Sequence, residues 1–243
     1  MRILYCLMGV IMTALMTACT KMNEARLPDY VVCNPVKTKD VPSMLRTPAA
    51  PVLIPFSEQD RQDIDTLSSK FDTEENCYGL AAVQIGIPKR IIVFSAKADP
   101  ETKIWRTDLT DTMQKTVWIN PKFTGVEETG YHEDYEGCFS VKGVAGLVKR
   151  YKKIKYEAYT LDGVLVTGTA EGFLARLIQH EIDHLDVVLF TDIAKEIIPI
   201  VEYRQMRDAA VARDIARKIK LCLLQHLKPF YSIGIIHWLI LGH

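Results

Sequence analysis

The sequence has no C-x-x-C pair: its six cysteines, Cys6, Cys19, Cys33, Cys77, Cys138 and Cys222, stand far apart. That spacing is not a disulfide framework, although six cysteines in an exported chain would permit one, so each is read by itself. Net charge is lacking too, with 30 lysine and arginine residues against 30 aspartate and glutamate. This excludes a protein that finds DNA by bulk charge. No apolar run reaches the length of about 20 residues that a membrane-spanning helix needs. No internal repeat is evident, which excludes solenoid architectures. What is there is a chain of 243 residues, 48% hydrophobic and 25% charged. That composition is ordinary for a soluble globular protein of one domain with appendages, or at most two small domains. The length supports a sizeable core.

The longest apolar stretches lie at the two ends. Residues 3–18 form one, with Arg2 before it and Cys19 after it. A basic start, a short apolar run and a small residue before Cys19 fit a secretory signal. Leu15-Met16-Thr17-Ala18-Cys19 resembles a bacterial lipoprotein signal, in which the cysteine is lipidated, although Met16 stands where leucine is usual. The alternatives are a plain membrane anchor at the N-terminus and a translation start at Met22. At the other end residues 233–241 are apolar, too short to span a bilayer, and expected to dock on the domain or touch a membrane surface. The chain therefore divides into a signal or anchor (1–19), a linker (20–43), a central domain (44–192), a basic helix (193–228) and an apolar tail (229–243).

Residues 20–55, rich in proline and polar groups, read as a linker that becomes an extended arm near Met44-Leu45-Arg46. Ser57 with Asp60 three positions on, then Ile64, Leu67 and Phe71 at helical spacing, predict a helix to about Phe71. Residues 90–94 read as a buried strand, 99–115 as a polar excursion, and 116–119 as a strand stopped by Asn120-Pro121. Strands at 153–161 and 164–170 flank Asp162-Gly163 as a hairpin. Phe173, Leu174, Leu177, Ile178, Ile182 and Leu185 recur at helical spacing and predict a buried helix. Residues 200–228 read as a helix carrying Arg204, Arg207, Arg213, Arg217, Lys218 and Lys220, either a solvated face or a contact for ribosomal RNA.

The buried helix contains His180-Glu181-Ile182-Asp183-His184. Residues four apart share a helix face, so His180 and His184 can point two imidazoles at one metal. Glu181 can then reach a water there, as in the H-E-x-x-H arrangement of zinc hydrolases; two ordinary helix histidines are the alternative. A catalytic site needs a third ligand and one open position. Cys138, in Glu136-Gly137-Cys138-Phe139-Ser140, offers a thiolate, against the alternative of a small buried hydrophobe. The glycine-containing segment Tyr78-Gly79-Leu80-Ala81-Ala82-Val83-Gln84 brings backbone amides near a ligand, and Gln84 can donate an N–H to a developing oxyanion.

In order and content these three segments resemble the peptide deformylase family, with its G-x-G-L-A-A-x-Q, E-G-C-L-S and Q-H-E-x-D-H-L segments. The resemblance spans roughly residues 44–192. It implies an α+β fold, with antiparallel β-sheets packed around a central helix that carries the histidines and an additional C-terminal helix. It implies that Cys138, His180 and His184 hold one divalent metal, most often Fe2+, with Zn2+, Ni2+ or Co2+ able to replace it. Glu181 then serves as general acid and base, Gln84 and the Phe139 backbone N–H as oxyanion donors, and the Gly79 backbone as a wall of the substrate cleft. Glu136 and Arg150 match a supporting ion pair. The implied reaction removes the formyl group from N-formylmethionyl nascent peptides and releases formate, with the methionine side chain in an apolar pocket near Ile178. Three positions depart from the pattern: Cys77 and Val187 stand where glycine is usual, and Phe139 replaces the usual leucine, a mild change. Cys77 is expected either to narrow the cleft or to be tolerated. A cytoplasmic reaction and an exported N-terminus conflict, which keeps two further readings open: a deformylase-like envelope lipoprotein without turnover, and an H-E-x-x-H metallopeptidase.

Overall fold

The structure, a computed structural model, describes residues 26–34, 41–97, 102–103, 106 and 108–231. The expectations for residues 1–19, for Cys19 and Met22, and for the tail from residue 232 onward lie outside them.

Helix α1 spans Glu58–Thr73. Ser57 Oγ accepts the Asp60 N–H at 3.1 Å, and Asp60 Oδ2 accepts the Ser57 N–H at 2.9 Å, a reciprocal cap that satisfies two otherwise orphaned donors. Eight strands follow in two sheets: β1 (Gly79–Ala81), β2 (Ile91–Ala96), β3 (Met113–Gly125), β4 (Tyr131–Cys138), β5 (Val141–Tyr151), β6 (Lys153–Tyr159), β7 (Leu165–Glu171) and β8 (Glu196–Pro199). The first sheet has the order β1-β2-β3-β6-β7 and the second β4-β5-β8, with every pair antiparallel. Helix α2 (Gly172–Leu185) carries the histidine motif, α3 (Phe190–Ile193) is a single turn, and α4 runs over Ile200–Tyr231.

Side-chain alternation explains the layering. On β2, Ile91 and Val93 pack with Ile64, Leu67 and Phe71 of α1, while Ile92 and Phe94 pack with Phe173, Leu174 and Ile178 of α2. Both faces of β2 are therefore covered, and all six of its residues are buried. The α2 cluster also takes in Val141 and Val148 of β5, so the helix lies between the sheets, as expected.

Four details differ from the sequence reading. The strand at 116–119 does not stop at Asn120-Pro121. Asn120 adopts φ 50, the register shifts between Ile119 and Lys122, and β3 continues to Gly125. Asparagine tolerates the left-handed region, and proline lies where the ladder is already interrupted. The Asn120 side chain secures the bulge by bonding both the Val52 N–H and the Val52 carbonyl at 2.8 Å. The arm near Met44 is not extended but forms a 3-10 turn, Ser43–Arg46, which drives Leu45 into the core. The basic helix expected from residue 193 is interrupted at 194–199, because β8 completes the second sheet and α4 begins only at Ile200. Part of the expected linker is structural: the Val31 N–H donates to the Gln84 carbonyl and the Cys33 N–H to the Ser140 carbonyl, both at 2.8 Å. Among the described residues no helix is long and apolar enough to cross a membrane.

Candidate active site and metal centre

The start of α2 is seated by loop backbone: the Gly172 N–H donates to the Lys152 carbonyl and the Phe173 N–H to that of Asp108. Along the helix, Gln179 uses its amide as a strand would, bonding both the N–H and the carbonyl of Tyr151. The C-terminus closes with the Val188 N–H on the Asp183 carbonyl, a Schellman arrangement in which Val187 takes φ 62. These ties fix the rotation of α2 and so the direction of its histidines.

Cys138, at the end of β4, meets those histidines. Its Sγ lies 3.2 Å from His184 Nε2, and the ligand atoms of Cys138, His180 and His184 all fall within 4.8 Å of one another. Three donors this close, one a thiol and two imidazoles, suit a single tetrahedral ion with one position left over. The electrostatics of His184 fit as well. Burial holds the pKa of His184 well below the usual range, which keeps the ring neutral as a ligand must be. Burial also opposes charge on His180, but its hydrogen bonds to Cys138 and Glu136 prevail and raise its pKa. His180 Nδ1 lies 2.9 Å from Glu136 Oε2, which leaves Nε2 as the ring's metal-facing nitrogen.

Glu136 is the hub behind the metal ligands. Arg150 donates to both of its oxygens at 2.9 Å, and Arg176 donates to Oε1 at 2.7 Å. Burial works against ionisation of Glu136, yet the Arg150 charge and hydrogen bonds hold its carboxyl well below the usual range. Arg150 also pairs with Asp183, on the same helix as the histidines. A buried cluster of this kind fixes geometry more than it adds net stability.

Glu181 is buried, and its Oε2 has no hydrogen-bond partner among the described residues. Burial pushes its pKa up to about 7, suited to taking and giving a proton near neutrality. Gln84 Oε1 accepts the Ala81 N–H at 2.8 Å, which turns Nε2 toward the centre, 3.3 Å from Cys138 Sγ. Tyr30 stacks on Phe139 at 5.0 Å between ring centroids, beside the second expected oxyanion donor. Gly79, Gln84, Cys138, Phe139, His180 and Glu181 all line one cavity of about 510 Å³.

The residues singled out in the sequence thus converge, with three qualifications. Ile178 is fully buried in the core and does not line the cavity; Phe173, Leu177, Val144 and Ile200 supply its apolar wall. Cys77 packs against the α1 cluster and does not line the cleft either. Arg176 and Asp183 were not singled out. Arg176 stands four residues before His180, on the same helix face, and that spacing was the signal available.

A thiolate and an H-E-x-x-H helix meeting in one cleft beside a buried carboxylate define a metal-dependent hydrolase. The comparisons narrow the class. The family model of polypeptide deformylases matches residues 33–198. Peptide deformylase 2 of Rickettsia conorii is 48% identical over 198 residues, covering 79% of this chain and 96% of its own length. Peptide deformylase 2 of Clostridium acetobutylicum is 37% identical over 155 residues, covering 64% and 91%. The Met-Ala-Ser-bound crystal structure of class I type b peptide deformylase from Acinetobacter baumannii superposes with a TM-score of 0.58 at 29% identity, covering 68% of this chain and 97% of that one. The peptide deformylase of Thermotoga maritima gives 0.56 at 26% identity, covering 70% and 99%. The chain belongs to the polypeptide deformylase family. Its activity is that of a metal-dependent hydrolase that removes the formyl group from N-formylmethionine at the start of newly made polypeptides.

Proposed function

We propose that Cys138, His180 and His184 hold a ferrous ion and that Glu181, Gln84 and the Phe139 N–H carry out the proton transfer and oxyanion stabilisation of deformylation. The observation that carries this reading is the convergence of a cysteine and two histidines beside a buried carboxylate. A mixed thiolate and imidazole set also accommodates zinc, nickel or cobalt. When bound, the ion supplies Lewis acidity that brings the pKa of water toward neutrality, to about 7 in zinc enzymes.

The chain's own groups do the rest. Glu181 accepts the proton of the attacking water and passes it to the departing amine of methionine. Gln84 Nε2 and the Phe139 N–H stabilise the oxyanion of the tetrahedral intermediate, each donor contributing about 3 kcal/mol. Glu136 orients His180 and is held by Arg150. Phe173, Leu177 and Ile200 shelter the methionine side chain. The apolar run before Cys19 supports lipidation of that thiol, and a Cys19→Ser chain that stays in the membrane fraction would refute it.

The test is formate release from formyl-Met-Ala-Ser by the chain reconstituted anaerobically with Fe2+, beside a Glu181→Ala variant. The variant should bind one equivalent of ion and lose turnover by a factor of at least about 100. Turnover that survives the substitution would remove Glu181 from this role.

A further inference from the structure

Two cations face the cleft without a carboxylate of their own. Lys142 sits at the start of β5, four residues after Cys138, and Arg204 lies in the second turn of α4; both are exposed and both line the catalytic cavity. Their elements are joined, because β5 pairs with β8 at Val144 and Pro199, and Ile200 then opens α4. The two side chains therefore come from neighbouring parts of one wall.

The charge balance along that wall is one-sided. The acidic residues that line the cavity are Glu136 and Glu181. Glu136 is already held by Arg150, Arg176 and His180, and Glu181 is the buried carboxylate at the metal ligands. The cavity's other two arginines are engaged as well, Arg106 with Asp134 and Arg176 with Glu136. Among the described residues neither Lys142 nor Arg204 forms an ion pair. The outer cleft thus presents two uncompensated positive charges to whatever part of the peptide follows the formylmethionine.

We propose that Lys142 and Arg204 form a cationic subsite that selects formylmethionyl peptides with aspartate or glutamate shortly after the methionine. The proposal rests on the deformylase reading of the same cleft. Exposed charges steer encounter and binding rather than chemistry, so the preference falls on KM and weakens as salt screens it.

The experiment compares formyl-Met-Ala-Asp, formyl-Met-Ala-Ser and formyl-Met-Ala-Lys with the full, metal-loaded chain at low and high salt. Wild type should favour the aspartyl over the lysyl peptide by about threefold to fivefold in kcat/KM at low salt, a size typical of exposed charge pairs. The difference should lie in KM and shrink in 0.5 M salt. The double variant K142E/R204E should reverse the order, and K142A/R204A should flatten it. Calorimetric binding of the unformylated products Met-Ala-Asp and Met-Ala-Lys reads the same preference without turnover. An equal response of wild type to both charged peptides, or a preference that persists in the folded double variant, overturns the subsite. Loss of turnover on the neutral seryl peptide with the binding preference intact would instead count against the catalytic reading and in favour of the subsite.

Discussion

Gly79 lies against the carboxylate of Glu181. A Cβ at residue 79 would fall 2.7 Å from Glu181 Cδ and nearer still to Oε1, so either the strand or the carboxylate would have to move. Gly79→Ala is therefore expected to lower kcat by about 100-fold while leaving the fold and the bound metal in place, since a displacement of about 1 Å costs that much. Unchanged kcat in steady-state assays would show that Glu181 has room to adjust. Val187 tells the opposite story. A β-branched residue at φ 62 sits in a region that costs L-residues about 1–2 kcal/mol, and the Schellman closure of α2 holds it there. Val187→Gly should relieve that strain, offset in part by chain entropy, for a net gain of about 1 kcal/mol in denaturant unfolding. The metal ligands and Glu181 were readable because their chemistry demands particular residues at particular spacings. Arg176 was harder to read: its spacing from His180 places it on the ligand face, but nothing local names its partner Glu136, 40 residues away in sequence.

Local signals at the level of elements were uneven in the same way. The cap of α1 is written in four consecutive residues, and Asp60 gains a further partner in Lys89, whose Nζ lies 2.5 Å from Oδ1. The Lys89 hydrogen bond, followed by that of Ser57, lowers the Asp60 pKa to about 2. A carboxylate with a depressed folded-state pKa contributes stability that is complete above its ordinary value near 4 and is lost as pH falls through the depressed one. Allowing for screening of a partly solvated pair, the contribution is about 1 kcal/mol. Asp60→Asn should flatten the dependence of the melting midpoint on pH between 4 and 2, and an unaltered slope would exclude this linkage. By contrast, β8 and the continuation of β3 beyond Pro121 depend on partners. β8 is four residues long and becomes a strand only because β5 offers an edge at residues 144–147. Proline after asparagine reads as a stop until the Asn120 side chain is seen to clamp Val52. Long periodic stretches, such as α2 and the hairpin of β6 and β7, needed no such help.

Across the whole molecule the metal ligands come from different layers, Cys138 from the three-stranded sheet and the histidines from the helix between the sheets. An ion shared between them cross-links the two layers. At an ion concentration about a thousandfold above its dissociation constant, binding adds about 4 kcal/mol to stability. Chelation should accordingly lower the melting temperature by about 10 °C for a chain of this size. A smaller shift in Cys138→Ser than in wild type would confirm the thiol's share, and no shift in either would separate the ion from the fold.

The strap formed by residues 30–33 has a consequence of another kind. Its backbone bonds reach Gln84 and Ser140, on either side of the oxyanion position, across loops that close over much of the chain. The stacking of Tyr30 on Phe139 and the burial of Cys33 also hold this arm, but it lacks the continuous ladders that protect β2 on both sides. The amide protons of Val31 and Cys33 should therefore exchange with solvent far sooner than those of β2. Each opening would loosen the supports of both oxyanion donors at once, so the rhythm of this arm sets how continuously the site is assembled.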